Sequence, residues 1–195
     1  SPIAELGELT CHGVTAPDEV AERIADAEVV LTNKVVLGAL EMEAASRLEL
    51  ICICATGTNN VDLAEAERRG IAVTNVAGYS TQGVVQHTMA MLLNLATKVN
   101  RYAAEVPAWA ESPIFCRLDH PVLELAGRRL GIVGAGAIGR AVGRVAAAMG
   151  MEVVALGRGG GSTVEGEGWP RLEREEFFRG CDVVSLHCPL TDETK

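Results

Sequence analysis

Aromatic side chains are scarce in this chain: 4% of its 195 residues, with two Trp, two Tyr and three Phe. Ala, Val, Leu and Gly carry the apolar content instead, a profile that suits helices packed on parallel sheets and disfavours an all-β sandwich. Basic residues are also in deficit, 17 Lys and Arg against 26 Asp and Glu, for a net charge of −9. That balance excludes a nucleic-acid backbone or an anionic membrane surface as a general partner. An anionic ligand would have to be met by positive potential concentrated locally. Long hydrophobic runs are missing. The longest apolar patch, residues 89–93, is far too short to cross a bilayer. No secretory leader is visible, so a reducing cytoplasm is the expected compartment. The six cysteines include no C-x-x-C pair. Cys52 and Cys54 lie two apart in an apparent strand and are expected to be buried, reduced thiols rather than a metal pair. No repeat of solenoid period is present.

What the chain does have is an alternation of strand and helix patterns. Thr15-Ala16-Pro17-Asp18-Glu19 reads as a helix start, and Val20, Ile24 and Ala27 supply its apolar face. Residues 28–32 read as a strand, 38–47 as a helix and 48–54 as a buried strand. Asp62 is placed to cap a helix that runs through Arg69 and ends at Gly70, with a strand returning over 71–74. Ser80 opens a long helix predicted to pass Ala103. Val84, Val85, Met89, Leu92, Leu93, Ala96 and Val99 repeat at helical spacing, and Met91 and Leu95 widen the stripe. So broad an apolar surface implies burial between layers or domains. Pro107 and Pro113 mark an irregular connection. Residues 157–168 form a glycine-rich turn, Phe177 and Phe178 end a short helix, and 181–187 read as the third strand of a second unit. The expected fold is α/β, with two doubly wound parallel-sheet domains (Rossmann-like or flavodoxin-like). The expected division is a first domain over 1–101, a connection over 102–126 and a second domain over 127–195.

The strongest local signal is Arg129-Leu130-Gly131-Ile132-Val133-Gly134-Ala135-Gly136-Ala137-Ile138-Gly139-Arg140. A short apolar strand runs into G-x-G-x-x-G and straight on into an Ala-rich helix. In that context the motif is a dinucleotide fingerprint. Gly134 permits the tight turn, Gly136 lets a pyrophosphate approach the backbone, and Gly139 lets the helix pack on the strand. The amides and dipole of the helix start then face the phosphates. The alternative is a strand–helix turn with no ligand. The next strand, 152–156, should end in a carboxylate that holds the adenosine ribose. Leu156-Gly157-Arg158 stands there instead. An acid would repel a 2′-phosphate, whereas Arg158 offers it a fork of donors, so NADP(H) is favoured over NAD(H).

Further segments share an order. Ala55-Thr56-Gly57-Thr58-Asn59-Asn60-Val61-Asp62 is followed by Arg69-Gly70-Ile71-Ala72-Val73-Thr74-Asn75 and Gly78-Tyr79-Ser80-Thr81. Then come Val84-Val85-Gln86-His87-Thr88, the glycine fingerprint, Gly150-Met151 and His187-Cys188-Pro189-Leu190-Thr191. This series closely resembles the D-isomer-specific 2-hydroxyacid dehydrogenases over nearly the whole chain. Asn33-Lys34 and the run 85–88 are most similar to the glycerate dehydrogenase, or hydroxypyruvate reductase, branch.

The resemblance implies a substrate domain and a coenzyme domain closing over a cleft, and hydride transfer between NAD(P)H and a small 2-oxo acid such as hydroxypyruvate or glyoxylate. It implies that Thr56, Gly57 and Thr58 offer backbone amides to the substrate carboxylate, with Lys34 adding charge nearby. It implies that Val76 borders the nicotinamide, that Ala137 and Ile138 touch the pyrophosphate, and that Cys188 and Pro189 line the cofactor's far side. His87 is expected to be a packed or interdomain histidine, and His187 to shape the cofactor loop. The family's catalytic Arg, Glu and His have no match before Lys195. The chain is therefore expected to be a fragment, clipped at both ends, with both sheets incomplete and no activity by itself. The resemblance further implies a homodimer built on the segment 102–125, with Trp109 and Phe115 as anchors. The alternatives are a non-enzymatic, nucleotide-sensing corepressor-like module of the same fold, or a dehydrogenase for another acid such as phosphoglycerate.

Overall fold

The computed structural model describes residues 2–157, 162–191 and 193–194. The chain divides into two compact units, Ser1–Tyr79 and Ser80–Lys195.

In the first unit, α1 (Val20–Ile24), β1 (Val29–Thr32), α2 (Ala39–Ala44), β2 (Leu50–Ile53), α3 (Leu63–Arg69) and β3 (Ala72–Asn75) alternate. The strands form a parallel sheet in the order β1-β2-β3, with Val30 opposite Ile51 and Ile51 opposite Val73. Ile51 and Ile53 share one face of β2 and are fully buried with Leu37 and Met42. Residue identity explains the helix ends. Asp62 accepts the Glu65 N–H at 3.0 Å and starts α3. Gly70, at φ +72°, stops it in the left-handed region that a Cβ disfavours. Against expectation, Cys52 is only half-buried and Cys54 is exposed: Cys52 lies on the face of β2 that alternates away from Ile51 and Ile53, and Cys54 already stands in the loop past the strand. No His, Cys, Asp and Glu cluster among the described residues could hold a metal.

The second unit opens with α4 (Thr81–Thr97), followed by α5 (Val99–Ala104) and α6 (Val106–Trp109). The predicted single helix past Ala103 is thus broken. Lys98 adopts φ +57°, its N–H closing on Asn94 O, while the Asn94 side chain accepts the Asn100 N–H and redirects the chain. After an irregular segment come β4 (Arg129–Val133), α7 (Ala137–Ala148), β5 (Glu152–Leu156), β6 (Arg171–Leu172), α8 (Arg174–Gly180) and β7 (Val183–Leu186). The parallel sheet runs β6-β5-β4-β7. The segment read as a third strand is therefore the fourth. The short β6, just past the glycine-rich stretch, precedes it in the chain and pairs with β5. Strand order reverses between β4 and β7, the position at which doubly wound sheets open a crevice.

The core of this unit joins Val85, Met89, Leu92 and Ala96 of α4 to Val142 and Ala146 of α7 and to Leu130, Ile132 and Val153 of the sheet. Only this face of α4 is buried; Met91 and Leu95 are exposed, as is His87, so of its two expected settings, packed or interdomain, it is not packed within this unit. The expected first domain ran to residue 101, yet α4 packs on α7, within the second unit. On the other face of the sheet, α8 seats a fully buried Phe177 against Gly131. No described helix is long and apolar enough to cross a membrane.

Candidate functional site

Each unit gathers sequence-selected residues beyond the carboxyl ends of its strands. In the first, Lys34 follows β1, Thr56-Gly57-Thr58 follow β2, and Val76 follows β3. The loop carrying Lys34 is anchored by the buried Asn60, whose side chain donates to Val35 O at 3.0 Å and whose carbonyl accepts the Leu37 N–H at 2.8 Å. Lys34 itself is exposed.

The other two loops are stitched together. Val76 N–H donates to Ala55 O (3.0 Å), Thr56 Oγ1 donates to Val76 O (3.0 Å), and Asn75 Nδ2 donates to Thr56 O (2.7 Å). The Thr56 carbonyl and hydroxyl are thus both committed to the strand that follows, which fixes the start of the Thr56–Thr58 turn. The Asn75 side chain fixes the Thr56 carbonyl, a bond that its sequence pattern does not announce. Asn75 sits at the end of a strand, and nothing in its local sequence marks its side chain as a bridge.

In the second unit the glycine turn lies between β4 and α7. Gly134 has φ +94°, and a Cβ there would stand 2.6 Å from Cys188 N and 2.7 Å from His187 C. The turn after β4 and the segment after β7 are therefore in direct backbone contact, and Gly134 meets His187 and Cys188 at the sheet's switch point. A Cβ at Gly139 would stand 2.2 Å from Gly134 O, so α7 can lie this close to its strand only without one. At Gly136 a Cβ would meet nothing within 4 Å. The backbone there is open, at the start of a 12-residue helix whose first amides, from Ala137 and Ile138, have no partner one turn back. Open space at a glycine, helix-start amides with no partner one turn back and a favourable dipole fit a dinucleotide pyrophosphate. Arg158, the residue expected to choose the cofactor, lies outside the described residues.

His187 directly follows the neighbouring strand, β7. Its N–H donates to Val133 O at 2.7 Å, and its Nε2 pairs with Ser185 Oγ at 2.8 Å. Burial holds its pKa below the ordinary value of 6.5, which favours a neutral ring beside the turn. Thr194 Oγ1 donates to Pro189 O at 2.7 Å and secures the segment beyond.

Comparison with known proteins bears on both units. The model of the D-isomer specific 2-hydroxyacid dehydrogenase NAD binding domain matches residues 89–195. Hydroxypyruvate reductase of Blautia hydrogenotrophica is 36% identical over 195 residues, covering 97% of this chain and 61% of that protein. Glycerate dehydrogenase of Methylorubrum extorquens is 35% identical over 184 residues, covering 92% of this chain and 55% of that protein. Among solved structures, the TT0316 protein of Thermus thermophilus superposes with a TM-score of 0.78 at 37% identity, over 93% of this chain and 58% of that one. The chain thus spans somewhat over half the length of the relatives it matches. With the glycine turn, the strand order and the family match in agreement, this chain belongs to the D-isomer-specific 2-hydroxyacid dehydrogenases, a family of oxidoreductases, and carries sequence of their NAD-binding domain.

Proposed function

We propose that the whole protein is an oxidoreductase that reduces a small 2-oxo acid, hydroxypyruvate or glyoxylate, to glycerate or glycolate, with NADP(H) preferred over NAD(H). The observation that carries the reading is the open space beside Gly136 at the start of α7, in a chain of this family. Bound there, the coenzyme supplies the hydride. The chain's own residues do the holding. Gly136, Ala137 and Ile138 present amides to the pyrophosphate, and Gly134 and Gly139 bring strand, helix and the Cys188-Pro189 segment close enough to shape the turn. Thr56, Gly57 and Thr58 bind the substrate carboxylate through backbone N–H groups, Lys34 adds positive charge, and Val76 borders the nicotinamide.

The coenzyme preference rests on Leu156-Gly157-Arg158, where a ribose-binding carboxylate would otherwise stand. The assembly is a homodimer through residues 102–126, in support of which Phe115 is 98% exposed and Leu118 80%. The cytoplasm is its compartment, in keeping with free thiols at all six cysteines.

A steady-state assay of the full-length protein with hydroxypyruvate, glyoxylate, NADPH and NADH tests this. The expected result is turnover of at least one of the two acids, with a higher kcat/KM for NADPH. Turnover of neither acid defeats the substrate assignment, and an equal or higher kcat/KM with NADH defeats the preference.

A further inference from the structure

Arg140 stands one residue past the third glycine, and three bonds converge on it. Its backbone N–H closes the first turn of α7 on Gly136 O at 3.0 Å. Its Nε donates to Ala135 O at 2.9 Å, and its Nη1 donates to Glu165 O at 3.2 Å. One residue therefore holds two successive carbonyls of the glycine turn and a third on a remote segment.

Peptide planarity makes the consequence specific. In a trans peptide the C=O and the following N–H point in opposite directions, and no peptide in the described chain is cis. Drawing Ala135 O and Gly136 O toward Arg140 turns the Gly136 and Ala137 N–H groups away from it, toward the open side of the turn.

The remote segment is itself seated on α7. Trp169 lies directly on Gly143, where a Cβ would be 2.4 Å from its Cη2. Arg144 pairs with Glu167, its Nε donating to Oε2 at 3.1 Å, and Val164 is fully buried. Residues 163–169 thus form a strap along α7, and Arg140 is the residue that joins the strap to the glycine turn.

We infer that the Arg140 side chain positions the coenzyme site: it aims the Gly136 amide at the pyrophosphate by clamping the Ala135 carbonyl behind it, next to the Ala137 amide that the helix backbone itself orients. Resting on the coenzyme reading above, this extends it to a residue outside the glycine motif. The clamp acts on the pyrophosphate turn common to both coenzymes, so its loss weakens NADPH and NADH alike. Arg144 provides the contrast, since it binds the same strap and touches no carbonyl of the turn.

The test is coenzyme binding by the full-length protein, read as quenching of tryptophan fluorescence by NADPH and by NADH, with melting temperatures of the free proteins alongside. Arg140→Gln removes a charged donor and is expected to raise both dissociation constants about tenfold, while Arg144→Gln stays within about twofold. Unchanged binding by Arg140→Gln overturns the inference. So does an equal loss in Arg144→Gln, which would make the effect one of strap stability. Should Arg140→Gln fail to fold, Arg140→Lys keeps the charge but not the fork that spans Ala135 O and Glu165 O, and a loss of less than about twofold in that variant is equally fatal. Wild-type protein that binds neither coenzyme overturns the coenzyme reading, and the inference with it; wild-type binding with an unaffected Arg140→Gln overturns the inference alone.

Discussion

A Cβ at Gly139 would stand 2.2 Å from a backbone oxygen, whereas one at Gly136 would meet nothing within 4 Å. The two glycines of one motif therefore do separable work, and alanine substitution distinguishes them. Gly139→Ala forces helix and strand apart and is expected to cost about 3 kcal/mol of stability in urea unfolding. Gly136→Ala, at an extended φ of −79° that alanine accepts, should leave the urea midpoint unchanged. It should weaken coenzyme binding about tenfold, because its methyl occupies the space left for phosphate. An equal stability loss in both variants would contradict this division. At this scale the glycines were legible in the sequence because their role is local: a turn, an approach, a packing contact, each set by the missing Cβ. Asn75, Arg140 and Ser185 were not, because each acts by a side-chain bond whose partner is chosen by the fold.

Among the elements, α3 shows how far local chemistry reaches. Asp62 caps it, Gly70 ends it, and within it Glu65 accepts from both Arg68, at 2.6 and 2.8 Å, and Arg69. These two guanidiniums, with the hydrogen bond from Arg68 the larger influence, hold the Glu65 carboxyl well below its ordinary value of 4.5, at about 2. A carboxylate whose folded pKa is depressed stabilises the fold above its unfolded value and loses that contribution as pH falls through the folded one. The stability difference between wild type and Glu65→Gln should thus be full above about pH 5 and shrink steadily toward about pH 2, measured as urea midpoints. A difference that does not vary with pH would refute the ion pairing. The long helix is the contrasting case. Its apolar stripe read as one continuous element, yet Lys98 breaks it in the left-handed conformation, and Met91 and Leu95 stay exposed. Hydrophobic spacing reports which residues can share a face, but a break carried by a lysine and an asparagine leaves no glycine or proline signature.

On the scale of the molecule, each unit has its own core, and both tryptophans, Trp109 and Trp169, belong to the second. Tryptophan fluorescence therefore follows the unit that carries the glycine turn. Coenzyme at about 100 times its dissociation constant should stabilise that transition by about 2.7 kcal/mol, and an unmoved transition would argue against binding there. The α/β class, the alternating elements, the glycine turn and the family resemblance were all determined by the sequence itself, because they depend on periodicity, caps and missing side chains, which are properties of short stretches. The tertiary structure alone decided the rest. It added β6 at the sheet edge beside β5, packed α4 on α7, exposed Cys54 and His87, and joined the strap to the turn through Arg140. Those outcomes depend on which surfaces meet across tens of residues, and free energy of burial between distant segments leaves no mark in the spacing of either one alone.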